Sequence, residues 1–209
     1  MKLNKFNNKR VCIVDYELVN IASIENAVKY LGFKYEILKK PKNLELFSHL
    51  ILPGVGSYHE AAKKLNLTGW NIAIKDFASS LKPILGICLG MQLMFDGSEE
   101  DGWSEGLGFF KGKLQTFSKG KFPSPHMGFN LVNHKNTKIW NNIESPSAFY
   151  FVHSYRVRES DRDAIISKTS YGEDFISFIE KKNFFGAQFH PEKSHKVGLK
   201  LLKNFIDTI

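Results

Sequence analysis

The chain has 209 residues, of which 43% are hydrophobic and 24% charged, as is usual for a globular protein with a substantial core. Its net charge of +8 comes from basic residues that are dispersed along the chain, which argues against a nucleic-acid-binding surface and suits an acidic partner or a phosphorylated ligand. No apolar run approaches the ~20 residues that span a bilayer. Two cysteines without paired spacing argue against a disulfide framework or a zinc ribbon.

These features predict a cytoplasmic protein that uses no metal and does not enter a membrane. The first ten residues are rich in Lys and Asn and have no apolar centre, so we do not expect a secretory signal there. No internal repeat or long linker divides the chain, and we expect residues 1–209 to form one domain.

The first half of the chain alternates short apolar strands with amphipathic helices. Strands are predicted over 11–14, 35–38, 49–52 and 83–87. Helices are predicted over 21–31, 57–65 and 70–81. Short, wholly apolar strands separated by helices indicate an α/β protein whose parallel sheet is covered on both faces.

The second half contains strands with few helices between them. They are predicted over 109–117, 128–132, 148–152, 164–169 and 175–179. This pattern predicts an antiparallel sheet attached to the parallel core. A last amphipathic helix extends from Val197 to Ile209. Ligands of parallel sheets bind at the carboxyl ends of the strands, where residues 53–56, Cys88 and His190 are all expected to lie.

Cys88 follows an apolar strand and precedes a helix, with Gly86 and Gly90 on either side. Such a strand-to-helix turn exposes a nucleophile at the sheet edge and directs the first helix amides at its target. The helix N-terminus also favours the reactive thiolate. The alternative is an inert buried cysteine, which is the simplest interpretation of Cys12.

A second apolar strand, 185–189, ends in His190, Pro191 and Glu192. A nucleophilic cysteine needs a base, and the base needs a third group that fixes its tautomer. His190 and Glu192 supply both, although a His near a Glu is in other contexts an ordinary surface pair. A tetrahedral oxyanion also needs donors, for which the amide of Leu89 and the loop of Gly54, Val55 and Gly56 are candidates.

Three segments together resemble the class I (triad) glutamine amidotransferases. They are 52–56 (LPGVG), 86–92 (GICLGMQ) and 188–194 (QFHPEKS). Three more resemble the glutaminase subunits of imidazole glycerol phosphate synthase, in matching order from Val11 to Phe205. They are 125–130 (PHMGFN), 150–155 (YFVHSY) and 198–205 (GLKLLKNF). The resemblance implies a flavodoxin-like α/β fold with an added antiparallel sheet.

The resemblance also implies a mechanism. Cys88 attacks the side-chain amide of glutamine to give a γ-glutamyl thioester, His190 transfers the proton, and Glu192 orients His190. Gly54, Val55, Gly56 and Leu89 match the oxyanion hole. Water then releases glutamate without any cofactor.

The same resemblance assigns substrate contacts and a partner. Gln92 and Glu100 match positions that hold glutamine, and His153, Ser154 and Tyr155 match a segment near its α-carboxylate. Tyr150 and Lys193 match the mouth through which ammonia leaves, and Phe129 and Asn20 match the partner interface. The partner implied is a separate (β/α)₈-barrel synthase subunit of histidine biosynthesis, in a heterodimer.

Two segments depart from the family pattern, both on the implied partner face. The usual Asp-Tyr-Gly-x-Gly-Asn loop has Glu17 and Val19 in place of its glycines, and the usual tryptophan is Phe129. They leave open a paralogue that supplies ammonia for amidination of a surface-glycan sugar. A stand-alone cysteine hydrolase on the same core is a further alternative. A catalytically inactive binding module is disfavoured, because every position of the triad is present.

Overall fold

The structure is a computed structural model that describes residues 9–117 and 122–208 of the chain. Residues 1–8 and Ile209 lie outside it, and with them most of the Lys/Asn-rich start and the predicted end of the last helix. The strands are β1 (Arg10–Val14), β2 (Lys34–Leu38), β3 (His49–Leu52), β4 (Ile84–Ile87), β5 (Gly97–Ser98), β6 (Ser104–Glu105), β7 (Lys113–Thr116), β8 (His126–Val132), β9 (Ser147–His153), β10 (Tyr155–Arg156), β11 (Ile165–Ser170), β12 (Asp174–Lys181) and β13 (Phe184–Ala187). The α-helices are α1 (Ile21–Tyr30), α2 (Tyr58–Leu67), α3 (Trp70–Ser79), α4 (Leu89–Gln92) and α5 (His195–Ile206).

The central sheet has the strand order β11-β12-β13-β4-β3-β1-β2 among the described residues. From β13 to β2 neighbouring strands are parallel, and β12 and β11 continue the sheet as an antiparallel edge. The register places Ile13 beside Ile37 of β2 and Ile51 of β3. The four predicted parallel strands are therefore confirmed, each to within one residue.

Apolar layers cover both faces of this sheet, which explains why its strands are apolar at successive positions. Cys12 and Val14 pack in the layer formed with α2 and α3. Val11 and Ile13 point the other way, into the layer formed with α1, α5 and β9. Side chains of one strand alternate between the two faces, so every position of β1 has an apolar neighbour.

The strands predicted in the second half of the chain are present, but they belong to three sheets and not to one antiparallel sheet. Strands β11 and β12 join the central sheet, β8 pairs with β9, and β10-β7-β5-β6 form a small separate sheet. The strand predicted over 109–117 shrinks to β7. The amides of Phe109 and Phe110 both donate to the carbonyl of Met94, which closes a turn where a strand was predicted.

The topology brings the predicted site residues to one edge. Strands β13, β4, β3 and β1 are successive neighbours, and their carboxyl ends continue into His190, Cys88, Gly54 and Tyr16 respectively. No described helix combines the length and the apolar character needed to cross a membrane.

Replacing Phe178 with Ala tests the packing behind the site. The ring is 1% exposed and lies 5.0 Å from the ring of Trp140 and 6.3 Å from that of Phe189. We expect the free energy of unfolding to fall by about 3–5 kcal/mol, because the substitution leaves a cavity. Urea denaturation measures the change. Leu67→Ala, at a position 73% exposed, is the control and should change it by less than about 0.5 kcal/mol.

Candidate active site

Cys88 occupies a strained backbone turn between β4 and α4. Its φ of 54° and ψ of −113° lie in a region that side-chain-bearing residues rarely adopt. The amide of Cys88 donates to the carbonyl of Ala187 at 2.7 Å, and its carbonyl accepts from the amide of Gln92 at 3.1 Å. Hydrogen bonds on both sides therefore hold the predicted strand-to-helix turn in place.

The turn is pressed closely against the neighbouring strand. A Cβ atom on Gly90 would lie 1.8 Å from the carbonyl oxygen of Leu52 at the end of β3. Only glycine permits this approach, which carries the start of α4 to the loop after β3. The thiol of Cys88 is buried and 3.7 Å from the carbonyl oxygen of Val152, so β9 forms the opposite wall of the site.

His190 and Glu192 form a buried pair beside this thiol. The Nδ1 atom of His190 lies 2.7 Å from Oε1 of Glu192, and both side chains are less than 5% exposed. The other ring nitrogen, Nε2, is buried and has no hydrogen-bond partner in the part of the chain that the structure describes. Glu192 thus fixes the ring and its tautomer, leaving Nε2 to exchange a proton.

The charges around His190 favour its protonated form. Burial by itself lowers the pKa of His190, but the interaction with the Cys88 sulfur, together with the hydrogen bond to Glu192 and its negative charge, outweighs burial and raises that pKa to about 10. The site can therefore hold an imidazolium beside a sulfur nucleophile, which is the activated arrangement of a cysteine hydrolase.

The hydroxyl of Ser194 connects His190, which follows β13, to β9 through two hydrogen bonds. It donates to the carbonyl of His190 at 2.6 Å and accepts from the amide of Tyr150 at 2.9 Å. The amide of His190 in turn donates to the carbonyl of Tyr150 at 2.8 Å. Sequence reasoning missed Ser194 as a site residue, because a serine after a His-x-Glu pattern has no distinctive signature of its own.

The proposed oxyanion loop is in place, but one of its amides is directed elsewhere. Gly54 is buried against α4, where a Cβ atom would lie 2.9 Å from the amide nitrogen of Gly90. The amide of Val55, however, donates to the carbonyl of Leu18 at 3.3 Å. The hydrogen of the Val55 amide is therefore already engaged in this conformation, and its part in the oxyanion hole stays a prediction. Among the described residues, the Leu89 amide donates to no backbone carbonyl outside its own helix.

The loop that engages Val55 is the one that departs from the family pattern. Glu17 has φ 74°, a left-handed conformation that explains the glycine usual at this position. Two contacts hold Glu17 there. Its amide donates to Oδ1 of Asp15 at 2.9 Å, and its carboxylate pairs with Lys64 at 2.5 Å.

Gln92 lies in the site, within a network of buried amides. Its Nε2 atom donates to the carbonyl of Tyr155 and to Oε1 of Gln188, both at 3.0 Å. Gln188 approaches Cys88, with its Nε2 atom 3.9 Å from the sulfur. Both hydrogens of the Gln92 amide are thus used within the protein. Sequence reasoning missed Gln188, although a polar residue inside the apolar run 185–189 is a usable signal.

Glu100 is half-buried at the rim. Its Oε2 accepts from the amide of Tyr58 at the start of α2, at 3.1 Å. Burial, together with the negative charges of Glu100 and Asp101, raises the pKa of Tyr155. Glu100 therefore contributes to the electrostatic environment of Tyr155, and the assignment of both residues to substrate binding stays a prediction. Ser154 is half-buried between His153 and Tyr155.

The side chain of His153 is buried beside the rings of Phe117, Phe151 and Phe175. Its Nδ1 lies 2.8 Å from the carbonyl oxygen of Tyr155, and its Nε2 lies 3.0 Å from Nδ1 of His126. Burial lowers the pKa of His153 to about 3 and that of His126 to about 4. His153 is thus neutral and shapes the 153–155 turn. Sequence reasoning did not identify His126.

The residues assigned to the mouth lie side by side. The ring of Tyr150 is 6.5 Å from that of His190 and 5.6 Å from that of Phe129. The Nζ atom of Lys193 is 6.0 Å from the Tyr150 ring centre. Asn20 is exposed at the start of α1.

The family model "Glutamine amidotransferase class-I" matches residues 12–209. The chain belongs to the class I glutamine amidotransferases.

Curated relatives of this amidotransferase match it over nearly their full length. The "Imidazole glycerol phosphate synthase subunit HisH" of Sulfurimonas denitrificans is 45% identical over 93% of this chain and 96% of its own length. The protein of the same name from Caldanaerobacter subterraneus subsp. tengcongensis is 44% identical over 94% of this chain and 97% of its own length. Among solved structures, PurLQS from Thermotoga maritima has a TM-score of 0.75 at 23% identity, over 96% of this chain and 98% of its own, which shows the shared fold.

Replacing Glu192 with Gln tests the origin of the charge on His190. We expect the pKa of His190 to fall by about one pH unit or more, because the nearest permanent carboxylate is lost while burial remains. Histidine NMR titration measures it. Glu180→Gln, a change at a half-buried carboxylate bonded to Thr137, is the control and should leave the His190 pKa unchanged.

The same pair sets a pH dependence of stability. Because the pKa of His190 in the folded state lies above its ordinary value of 6.5, protonation of His190 stabilises the fold. This stabilisation is complete below pH 6.5 and disappears as the pH rises through about 10. A Glu192→Gln variant with an unchanged His190 pKa would show that Glu192 does not supply the stabilising charge.

Proposed function

We propose that this chain is the glutaminase subunit of an imidazole glycerol phosphate synthase, acting as a single amidotransferase domain over residues 1–209. It hydrolyses glutamine to glutamate and passes the ammonia to a separate (β/α)₈-barrel synthase subunit of histidine biosynthesis. One observation carries the pathway: nearly full-length similarity, at 45% identity, to a protein named as a subunit of that synthase. The reaction needs no cofactor, and two free buried cysteines are consistent with a reducing cytoplasm.

In the proposed mechanism Cys88 is the nucleophile and His190 the proton carrier. The sulfur attacks the carboxamide carbon of glutamine and forms a tetrahedral oxyanion. The carbon–nitrogen bond then breaks, and His190 gives its proton to the leaving ammonia. Water, deprotonated by His190, attacks the γ-glutamyl thioester, and glutamate leaves as the thiol is restored. Glu192, 2.7 Å from His190, keeps the ring oriented through both steps.

The oxyanion loop supports dependence on the partner. One donor, the Leu89 amide, follows the nucleophile directly, but the Val55 amide is held by the carbonyl of Leu18. Losing one oxyanion donor costs an enzyme about 10²–10³ in rate. We therefore expect the isolated chain to be nearly inactive until docking turns the Gly54–Val55 peptide.

An exposed apolar strip beside the site fits the docking of a partner. Met127, Phe129 and Leu131 alternate along the outer side of β8 and are 62%, 51% and 50% exposed. The ring of Phe129 lies parallel to that of His195 at 5.2 Å. Through Tyr150 the strip continues to His190, so a protein seated on it would receive ammonia directly at the mouth.

Glutamate release from glutamine, with and without candidate barrel subunits of the same organism and their ribonucleotide substrates, tests the proposal. Strong stimulation by the histidine-pathway barrel supports the assignment. Stimulation only by another barrel would identify the paralogue that supplies a glycan-sugar amidination, and the altered 15–20 loop is the observation that favours it. Full activity of the chain alone would identify a stand-alone hydrolase.

Within that assay, Cys88→Ala should abolish glutamate release while the complex still makes product from added ammonia. The thiol is the nucleophile, whereas the barrel performs the synthase chemistry. Product formation from glutamine and from ammonium salt gives the two rates. Cys12→Ala, at the other buried cysteine, is the control and should retain glutaminase activity. If Cys88→Ala abolished both rates, Cys88 would be a structural residue.

Phe129→Asp should weaken the complex with the barrel by roughly tenfold or more, because it places a charge in the centre of an apolar interface. Isothermal titration calorimetry measures the Kd. Ile72→Asp, on α3 in the layer on the opposite face of the sheet and 65% exposed, is the matched control and should bind like the wild type. If the wild type, Phe129→Asp and Ile72→Asp all bound the barrel with the same Kd, the interface would lie elsewhere.

A further inference from the structure

Tyr16 places a hydroxyl group against the oxyanion loop. It lies two residues beyond the end of β1, and its side chain is 0% exposed. A Cβ atom built on Gly54 would lie 2.5 Å from Oη of Tyr16, 2.9 Å from the amide nitrogen of Gly90 and 2.9 Å from Cβ of Leu89. The hydroxyl therefore lies where the loop after β3 meets the residues that follow the nucleophile.

This hydroxyl is buried and has no hydrogen-bond partner within residues 9–117 and 122–208. A buried hydroxyl without a partner is unfavourable, and native proteins retain few of them. Burial, and then the negative charge of Cys88, raise the pKa of Tyr16. The phenol therefore stays protonated throughout the working pH range and is available as a donor near the site.

The oxyanion loop would need a hydrogen-bond donor for the carbonyl of Gly54 if its peptide turned. A trans peptide is planar, so the carbonyl of Gly54 and the amide of Val55 point in opposite directions. The Val55 amide now donates to Leu18, and it can reach an oxyanion only if the whole peptide turns. Turning carries the Gly54 carbonyl to a new position inside a buried region, where it must again be hydrogen-bonded.

We propose that Tyr16 is a positioning residue whose hydroxyl donates to the turned Gly54 carbonyl and so stabilises the oxyanion-competent loop. This inference rests on the glutaminase function proposed above. The hydroxyl group is the unpartnered donor beside Gly54, and the proposal gives it a partner in the active conformation. It also explains why Gly54 must lack a side chain, since a Cβ atom would occupy the space between the two groups.

Tyr16→Phe removes only this hydroxyl. In the complex with the barrel and its ribonucleotide, we expect kcat for glutamine hydrolysis to fall roughly tenfold, as for the loss of one hydrogen bond in a buried site. KM should change less than about twofold, because the bond forms in the active loop and does not hold the substrate. Alkylation of Cys88 by iodoacetamide, which forms no oxyanion, should proceed at the wild-type rate.

Tyr58→Phe is the matched control. Tyr58 is also 0% exposed with an unpartnered hydroxyl, but its neighbour there is Gly106 and not the oxyanion loop. Its kcat should equal that of the wild type. A Kd of Tyr16→Phe for the barrel equal to that of the wild type, measured by isothermal titration calorimetry, shows that the variant is folded and docked.

Two results would overturn the proposal. If Tyr16→Phe and Tyr58→Phe both kept the wild-type kcat, the Tyr16 hydroxyl would be no more than a buried group. If alkylation slowed as much as hydrolysis, Tyr16 would act on the thiol and not on the loop. A wild-type complex without any glutaminase activity would instead contradict the proposed function, so the two failures are distinguishable.

Discussion

The backbone of Cys88 is held in a left-handed conformation by the strands on either side of it, and the other parts of the site are placed relative to it. Its φ of 54° is unfavourable for a residue with a side chain, and the hydrogen bond to Ala187 at 2.7 Å together with the tight approach of Gly90 to β3 maintains it. Because β13, β4 and β3 are neighbours, the same constraint brings His190 and Gly54 to the two sides of the sulfur. The three strands that hold this turn, β3, β4 and β13, are buried along almost their whole length.

The charge states of the buried histidines at the site depend on their burial and on the charged groups beside them. A charged imidazole in an apolar interior is unfavourable unless anionic partners compensate it, and at His190 the attraction of Cys88 and Glu192 exceeds the effect of burial. His153 and His126 lie nearby without such partners, and burial keeps them neutral. Neighbouring histidines thus differ in charge, because the imidazolium form is favoured at His190 whereas His153 and His126 are neutral.

The triad and the oxyanion loop differ in how far each has the arrangement that the proposed mechanism needs. His190 and Glu192 are already paired, whereas the Val55 amide is bound to Leu18 in the loop that follows β1. That loop and the apolar strip of β8 are the two places where this chain departs from its family, at Glu17, Val19 and Phe129. An assembled His190–Glu192 pair beside an engaged Val55 amide is the arrangement on which the proposed dependence on a partner rests.

The sequence by itself determined the α/β class, the order of the parallel strands along the chain and the triad, because short apolar strands, the glycines around Cys88 and the His190–Glu192 pair are local patterns. It did not determine how the antiparallel strands divide among three sheets, since pairing depends on contacts between distant segments. Nor did it reveal Gln188, His126 or the hydroxyl of Tyr16, each of which acquires its neighbours only on folding. Which way the Val55 amide points was likewise decided by tertiary structure alone. A peptide can turn without any change of sequence, and its direction depends on which buried acceptor, here the carbonyl of Leu18, lies within reach.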